Sequence, residues 1–277
     1  MAERPAGGGG VAEDYVLDHH QRGERQRLAL MSRLLDPMHR RHIAELGAAQ
    51  PGARTLEVGF GNGSMSAWLA GRVTPGGQAV AVDLDVSLAD PGVTGVEFRP
   101  GDILAGPVEP GGFDLVTARA VLHHVGDVRT AVANLVASAR PGGAVLLIEP
   151  DFLPVSVAEP AGIRAFWDGW LAWSREQGID YFIGRKLPAL LSGLGLARVA
   201  ATAETALYPG GSPWAGYWRE TVTELRPRLV ASGRLDDQLI DAFLAHGEDP
   251  SWWTQTIAFT AVAGRRPGRC PVPAQPA

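Results

Sequence analysis

Residues 56–64 read LEVGFGNGS, and this stretch decides the fold. Its apolar start predicts the end of a buried strand that carries Glu57. Glycines follow at alternate positions, namely Gly59, Gly61 and Gly63. Glycine lets the backbone turn sharply and leaves the N–H groups at the start of the next helix open to a ligand. The stretch therefore predicts a strand, a ligand-binding turn and a helix.

Short apolar stretches alternate with helical ones around this turn. Strands are predicted over residues 54–60, 79–85, 96–100, 113–120 and 143–150, and helices over residues 64–72 and 127–139. Strands that alternate with helices form right-handed βαβ units and a mostly parallel sheet. The chain is therefore predicted to be an α/β protein.

The flanking sequence is predicted to form a lid, two caps and two tails. An apolar stripe predicts helical structure over residues 13–46, broken at Pro37 and ended by Gly47. Residues 159–195 are predicted to be helical, residues 198–208 and 256–265 to be the sixth and seventh strands, and residues 209–255 to form two helices. We expect a single domain over residues 13–265, composed of an N-terminal helical lid (13–50), a cofactor-binding half (51–150) and cap insertions (151–197 and 209–255). The Gly/Pro-rich ends, residues 1–12 and 266–277, are expected to be disordered.

Two acidic residues follow the next two predicted strands. Asp83 ends the second strand, 20 residues after Gly63, and Asp102 follows the third. The carboxyl ends of parallel strands meet at the edge where open α/β folds bind ligands. An acidic side chain after the second strand can accept both ribose hydroxyls of a nucleoside, and Asp102 can accept an adenine amino group. The spacing therefore predicts a nucleoside cofactor.

A dinucleotide-binding domain is the main alternative for such a glycine-rich turn. Its G-x-G-x-x-G fingerprint needs Gly or Ala where this chain has Ser64, because the third glycine falls one position earlier. Glu57 also faces the position of a pyrophosphate, where a carboxylate repels phosphate but suits an ammonium group. These features favour a nucleoside that carries an amino acid.

The segment EVGFGNG (57–63) resembles motif I of the class I S-adenosylmethionine-dependent methyltransferases. FDLVTARAVLHHVGD (113–127) resembles the fourth-strand motif of that family, and LVASARPGGAVLLIEP (135–150) resembles its Pro-Gly-Gly turn and fifth strand. The resemblance implies a Rossmann-like, seven-stranded, mostly parallel sheet with an antiparallel last strand and helices on both faces. N-terminal helices and helical cap insertions complete the predicted fold.

The resemblance also implies a cofactor, S-adenosyl-L-methionine, with S-adenosyl-L-homocysteine as product. The backbone of Arg119 and Ala120 is expected beneath the amino-acid part of the cofactor, and Arg27 is expected to pair with its carboxylate. The complete set of predicted cofactor-binding residues is Glu57, Gly59, Gly61, Gly63, Asp83, Leu84, Asp102, Ile103, Arg119, Ala120 and Arg27.

Histidines after the fourth strand are the main catalytic candidates. An imidazole near the transferred methyl can act as general base, and His124 is preferred slightly to His123. Backbone hydrogen bonding and a solvated cap are the alternatives for this pair. Tyr15 and His20 are further candidates on the N-terminal segment, whose alternative role is a solvated helix face.

Aromatic residues in the predicted lid and caps are the candidates for acceptor binding. Such side chains can stack on a flat acceptor or contact a sulfonium, with core packing as the alternative. The predicted substrate-binding residues are Tyr15, His19, Trp170, Trp214, Tyr217 and Trp218. Their number favours a small apolar or aromatic acceptor of natural-product type.

Composition narrows the remaining classes of function. A formal net charge of −5 argues against nucleic-acid binding, and one cysteine among 277 residues excludes a cysteine-based metal site. No metal is expected, because strand four ends in Arg119 rather than in a carboxylate. No apolar run is long enough for a membrane helix, so we expect a cytoplasmic enzyme, as a monomer or homodimer.

The sequence therefore predicts methyl transfer to a small molecule by in-line displacement. Two alternatives stay open at this point, since fold alone does not fix function. One is a homologue that binds the cofactor for another reaction or for regulation. The other is an NAD-dependent oxidoreductase, which Ser64 disfavours.

Overall fold

The sheet of this protein has seven strands in a computed structural model that describes residues 24–89 and 92–268. The strands in chain order are β1 (Arg54–Val58), β2 (Gln78–Asp83), β3 (Val96–Pro100), β4 (Phe113–Arg119), β5 (Ala139–Asp151), β6 (Ala197–Glu204), β7 (Leu207–Pro209), β8 (Trp253–Gln255) and β9 (Ala258–Arg265). The order in the sheet is β3-β2-β1-β4-β5-β9-β6, and β7 pairs with β8 separately. In this sheet β9 runs in the direction opposite to the other six strands, so its pairings with β5 and β6 are antiparallel. The predicted fold class, a seven-stranded and mostly parallel sheet, is confirmed.

Helices cover both faces of the sheet. They are α1 (Glu24–Leu46), α2 (Ser64–Val73), α3 (Val128–Ser138), α4 (Ala161–Glu176), α5 (Leu187–Gly193), α6 (Pro213–Ala231) and α7 (Asp237–Glu248). Apolar side chains of α1, α2, α4, α6 and α7 pack into one core, and those of α3 and α5 pack into the other. Alternate residues of the buried strands point to opposite faces, so that Leu115 joins the first core and Val116 the second. None of the helices in the described segments has the length and apolar character to span a membrane.

The strand order places a ligand-binding edge at the centre of the sheet. The chain proceeds outward from β1 through β2 to β3, then returns to β4 on the other side of β1. Open α/β sheets bind ligands at such a reversal, beyond the carboxyl ends of the strands. Both β1 and β4 are almost fully buried, and they end in Val58 and Arg119.

Helix α1 is continuous through Pro37, so the predicted break at this residue is wrong. A proline inside a helix leaves the carbonyl four residues earlier without its usual donor. Here that residue is Arg33, and both Arg33 and Pro37 are exposed, so water can satisfy the carbonyl. The neighbouring Asp36 accepts hydrogen bonds from Arg40 and from Arg119 on the sheet. Tertiary contacts therefore hold the helix where its local sequence disfavours it.

Three other predicted elements differ from the structure in their extent. Residues 198–208 form two strands rather than one, because the chain leaves the edge of the main sheet after Glu204 to pair with β8. The predicted helical stretch 159–195 is divided into α4 and α5. The two helices predicted within 209–255 are present, and β8 follows them.

The C-terminal end of the domain extends slightly beyond the predicted boundary. The guanidinium of Arg266 donates to the carbonyls of Ala137 and Ala139, at 3.0 and 2.6 Å. Its backbone N–H donates to the carbonyl of Gly143. Arg266 satisfies carbonyls at the end of α3 and at the start of β5. It therefore belongs to the folded domain rather than to the predicted tail.

His39 joins α1 to the middle of the sheet. Its Nε2 lies 2.7 Å from Oγ1 of Thr117, and that hydroxyl donates to the carbonyl of Leu146. Nε2 is therefore the donor, and the ring is neutral. Complete burial, reinforced by the nearby Arg119, holds the pKa of His39 well below its usual value of 6.5.

We predict that His39 makes the fold sensitive to acid. Below pH 6.5 the unfolded chain takes up a proton at this residue and the folded chain does not, so the free energy of unfolding falls with falling pH. The loss is at most about 1.4 kcal/mol per pH unit. Urea unfolding between pH 5 and 8 measures it, with His39→Gln as a variant that keeps a donor but does not titrate. An equal pH slope in both proteins would remove His39 as the cause.

Candidate functional site

The glycine-rich turn connects β1 to α2 at the central edge of the sheet. Gly59, Gly61 and Gly63 have φ values of 72°, 55° and 78°, in the left-handed region that favours glycine. A Cβ on Gly59 would lie 2.1 Å from Cγ2 of Val121, so the turn packs directly against the chain that follows β4. Helix α2 then begins at Ser64. The predicted turn geometry is present, and at Gly59 the neighbouring chain leaves no room for a Cβ.

Glu57 is a buried carboxylate just before this turn. Its side chain accepts a hydrogen bond from the hydroxyl of Ser66 in the first turn of α2. Burial raises the pKa of Glu57 to about 7, and the nearby carboxylates of Asp36 and Asp83 act in the same direction. Ser66 and Arg119 oppose this shift. The site therefore has an excess of negative charge that a cation would stabilise.

Asp83 and Asp102 lie at the carboxyl ends of the next two strands, as predicted. A carboxylate oxygen of Asp83 accepts the backbone N–H of Gly61 at 3.2 Å, which ties β2 to the glycine-rich turn. The backbone N–H of Gly101 donates to the carbonyl of Asp83 at 2.9 Å. Asp102 accepts the N–H of Leu104 at 2.8 Å. Both carboxylates are half-buried, so they can bind a ligand beyond the sheet.

Leu84 and Ile103 follow these two carboxylates and differ in exposure. Leu84 is 56% exposed. Ile103 is buried, and its carbonyl accepts the side-chain amide of Asn134 at 2.7 Å. Leu84 is therefore available to a flat ligand, whereas Ile103 belongs to the core at this edge.

The chain turns sharply after β4. Arg119 donates to Asp36 at 2.8 Å, and both side chains are more than nine-tenths buried. Ala120 has a φ of 55°, a conformation that is uncommon for a residue other than glycine. The turn brings Ala120 to the wall of a cavity above β4 and β5. Arg119 thus anchors α1, and Ala120 shapes the site.

Arg27 lies in the first turns of α1, at the same cavity. Its guanidinium makes two hydrogen bonds of 2.7 Å with the carboxylate of Glu24, and both side chains are buried. Arg27 therefore binds a carboxylate of its own helix here, and its pairing with the carboxylate of the cofactor stays a prediction.

His123 is oriented by a buried carboxylate that the sequence did not single out for this role. Oε1 of Glu149 accepts the backbone N–H groups of Val121 and Leu122, at 2.9 and 2.8 Å. Oε2 accepts the N–H of His123 at 3.3 Å and lies 2.8 Å from Nδ1 of the same residue. Because an ionised carboxylate only accepts hydrogen bonds, Nδ1 carries the proton and Nε2 of a neutral ring keeps its lone pair.

The cavity beside His123 is mostly apolar and aromatic. Of the predicted residues it is lined by His123, His124, Trp170, Tyr217, Trp218, Arg27 and Ala120. Residues at this wall that the sequence analysis missed include Met31, Phe152, Ile179, Tyr181, Thr221 and Phe259. Trp214 is not at this wall, because it packs against Tyr217 and Phe259. Tyr15, His19 and His20 lie outside the described residues.

Among the residues that sequence reasoning missed at the site, only Glu149 is marked by a sequence pattern. Glu149 ends an apolar run, LLIEP, in the same way that Glu57 ends the run of β1. Tyr181 lies in the connection between α4 and α5 without any pattern. Its ring stacks on Phe152 at 4.1 Å and on His123 at 5.3 Å between centroids. Such contacts depend on how the connection folds.

The described segments, 24–89 and 92–268, contain no group of three His, Cys, Asp or Glu side chains arranged to hold a metal ion. The carboxylates of Glu149 and Asp151, which flank Pro150, bind protein side chains rather than a shared metal ion. Glu149 orients His123, and Asp151 makes two hydrogen bonds of 2.6 Å with Arg185.

The sheet order, the glycine-rich turn and the acidic strand ends define a class I methyltransferase fold. The chain matches a family model described as a methyltransferase domain over residues 23–201, well over half of its length. It belongs to this family of methyltransferase domains.

Relatives of this chain include named methyltransferases. Methyltransferase str3 of Strobilurus tenacellus is 29% identical over 154 residues, which cover 54% of either protein. The ubiquinone/menaquinone biosynthesis C-methyltransferase UbiE of Stutzerimonas stutzeri is 31% identical over 129 residues, 43% of this chain and 50% of that protein. The chain spans 54% or less of the length of the curated relatives it matches here.

A solved structure shows the same fold over nearly the whole chain. Geranyl diphosphate methyltransferase in complex with GPP and sinefungin is similar with a TM-score of 0.54 and 17% sequence identity. The similarity covers 91% of this chain and 85% of that one.

We predict that Gly59→Ala destabilises the fold, because the new Cβ would collide with Val121 and the backbone would keep an unfavourable φ. The expected loss is about 2–4 kcal/mol in the free energy of unfolding, measured with urea. Gly71→Ala in α2 is the matched control. A Cβ there meets nothing within 4 Å, and alanine favours a helix by roughly 0.5–1 kcal/mol. A Gly59→Ala protein as stable as the wild type would contradict the packing described here.

Proposed function

We propose that this protein transfers a methyl group from S-adenosyl-L-methionine to a small apolar or aromatic molecule. The observation that carries the proposal is the juxtaposition of two sites at one sheet edge. A glycine-rich turn with a buried acidic residue lies beside an aromatic cavity that contains an oriented imidazole. The turn suits the cofactor and the cavity suits the acceptor, and Val121 and Ala120 lie between them.

The residues at the turn fit the chemical groups of this cofactor. Glu57 offers a buried carboxylate to the ammonium group. Burial raises the pKa of this carboxylate to about 7, and a bound cation would oppose that shift. Asp83 offers carboxylate oxygens to the ribose hydroxyls. Asp102 offers a carboxylate oxygen to the adenine amino group. Leu84 offers an exposed apolar surface to the adenine ring. Arg27 offers a guanidinium to the cofactor's carboxylate, in competition with Glu24.

S-adenosyl-L-methionine supplies a methyl group that is electrophilic because the sulfur to which it is bonded is positively charged. The protein then has to align the acceptor and exclude water. Phe152, Trp218 and Phe259 exclude water with apolar surface at the wall of the cavity. The acidic groups behind the turn keep the electrostatic field favourable to a cation, which is the charge of the bound cofactor.

His123 is the residue that we assign to proton removal, ahead of His124. The Glu149 carboxylate holds its Nδ1–H, so that Nε2 can accept a proton from an O–H or N–H acceptor. Glu149 also stabilises the imidazolium that results. The ring of His124 contacts this ring at an angle of 41°, with 3.9 Å between centroids, and His124 lines the same cavity. The carboxylate partner at Nδ1 is the reason for preferring His123.

Isothermal titration with S-adenosylmethionine, S-adenosylhomocysteine and NAD tests the cofactor assignment. We expect micromolar binding of the first two ligands and none of NAD. Asp83→Ala should weaken binding by about 2–4 kcal/mol, because charge-assisted ribose hydrogen bonds are lost. Asp114→Ala, at the opposite end of the strands, should leave binding unchanged. Tight NAD binding would instead support an oxidoreductase.

The tautomer of His123 gives a second test that needs no acceptor. In long-range ¹H–¹⁵N correlation spectra, Nε2 of the neutral ring should resonate as the unprotonated nitrogen. Glu149→Leu should abolish this preference. His246, which is half-buried and whose Nδ1 lies 2.8 Å from the carbonyl of Ala242, should be unaffected and serves as the reference. A proton on Nε2 in the wild-type protein would exclude His123 as the base.

A further inference from the structure

One wall of the acceptor cavity carries a buried donor without an acceptor. Trp170 is 1% exposed, and its indole Nε1 has no hydrogen-bond partner among the residues that the structure describes. The neighbouring Trp218 differs, because its Nε1 lies 3.3 Å from Oγ1 of Thr256. A buried N–H group without a partner destabilises a protein, and such groups are rare in native structures.

Trp170 lies close to the oriented histidine. Both line the same cavity, and both adjoin the ring of Tyr181. The centroid of the His123 ring lies 5.3 Å from that of Tyr181, and the centroid of the Trp170 ring lies 6.5 Å from it. The planes of both rings are within 30° of the Tyr181 plane. A flat molecule beside Tyr181 would therefore adjoin the rings of both His123 and Trp170.

The charge of the cavity indicates which group the indole N–H receives. Among the described residues at the wall, Arg27 is the only one with a permanent positive charge, and Glu24 matches it. An anionic substrate group would therefore lack a counter-ion near Trp170. A neutral oxygen, such as a carbonyl, needs only one donor.

We propose that Trp170 determines specificity by donating its indole N–H to a carbonyl oxygen of the methyl acceptor. The substrate class is then a flat aromatic hydroxyl compound that carries a carbonyl group away from the hydroxyl to be methylated. This inference rests on the proposed function for the role of the cavity, and it adds a polar contact to an otherwise apolar wall.

Two fluorescent probes of similar size test the proposal. 7-Hydroxycoumarin has a phenolic hydroxyl and a carbonyl, and 2-naphthol has the hydroxyl alone. Their dissociation constants are measured in the presence of S-adenosylhomocysteine. We expect 7-hydroxycoumarin to bind about tenfold more tightly than 2-naphthol, which corresponds to one well-formed hydrogen bond. Trp170→Phe, which removes the N–H and keeps an aromatic ring, should abolish the preference and change the affinity for 2-naphthol less than twofold.

Trp173→Phe is the matched control. Trp173 is as buried as Trp170, lies on the same helix and is not among the residues at the cavity wall. This variant should keep the tenfold preference. If Trp170→Phe does not fold, the assigned indole ¹H–¹⁵N signal of Trp170 is measured in the wild-type protein instead. That signal should move downfield with 7-hydroxycoumarin and not with 2-naphthol.

Three results would overturn the inference. They are equal affinity of the wild type for both probes, equal weakening of both probes by Trp170→Phe, and no binding of either probe to a protein that binds S-adenosylhomocysteine. Failure of the proposed function looks different. In that case S-adenosylhomocysteine does not bind, while the carbonyl preference of the cavity and its loss in Trp170→Phe are still measurable without it.

Discussion

The buried carboxylate of Glu57 is the constraint on which the site depends. A carboxylate at the end of a buried strand is costly unless a partner compensates the charge. Ser66 supplies one hydrogen bond, but Asp36 and Asp83 add further negative charge nearby. Burial raises the pKa of Glu57 to about 7, the two aspartates act in the same direction, and Ser66 and Arg119 oppose them. The fold thus keeps an unfavourable arrangement that a bound ammonium group would relieve.

A second buried carboxylate organises the other half of the site. Glu149, two strands away from Glu57, is compensated within the protein by three backbone N–H groups and by His123. It fixes the chain after β4, and that chain in turn packs against Gly59 of the cofactor turn. The carboxylate of Glu57 is thus left for a ligand, and that of Glu149 orients His123, for which we propose the role of base. Glu57 and Glu149 differ in this way because different backbone N–H donors surround the ends of their strands.

Much of the cofactor half of the site could be predicted because its chemistry is local. Gly59, Gly61 and Gly63 adopt positive φ values that the sequence pattern requires, and Asp83 lies at a strand end set by apolar periodicity. The mostly parallel arrangement of the strands also follows from their alternation with helices. The acceptor half could not be predicted in this way. Tyr181 and Phe152 reach the cavity only through the packing of irregular connections.

Where the prediction was wrong, a tertiary contact outweighed a local preference. Pro37 stays inside α1 because Asp36 is held by Arg119 of the sheet, a contact between residues 83 positions apart. Trp214 and Trp218 lie four residues apart on α6, yet only Trp218 lines the cavity. Their spacing is helical, yet Trp218 packs against Phe152 and Trp170 of the cavity wall, whereas Trp214 packs against Tyr208 and Phe259.

The most direct test of this account is the pH dependence of S-adenosylhomocysteine binding, measured by calorimetry between pH 6 and 8. If Glu57 binds the ammonium group, the affinity should rise with pH up to about 7, by at most tenfold per unit, and binding at pH 6 should release a proton. 5′-Deoxy-5′-methylthioadenosine, which lacks the amino-acid moiety, and the variant Glu57→Gln should both show no such dependence. An affinity for S-adenosylhomocysteine that is independent of pH in the wild-type protein, without proton release, would contradict the central claim.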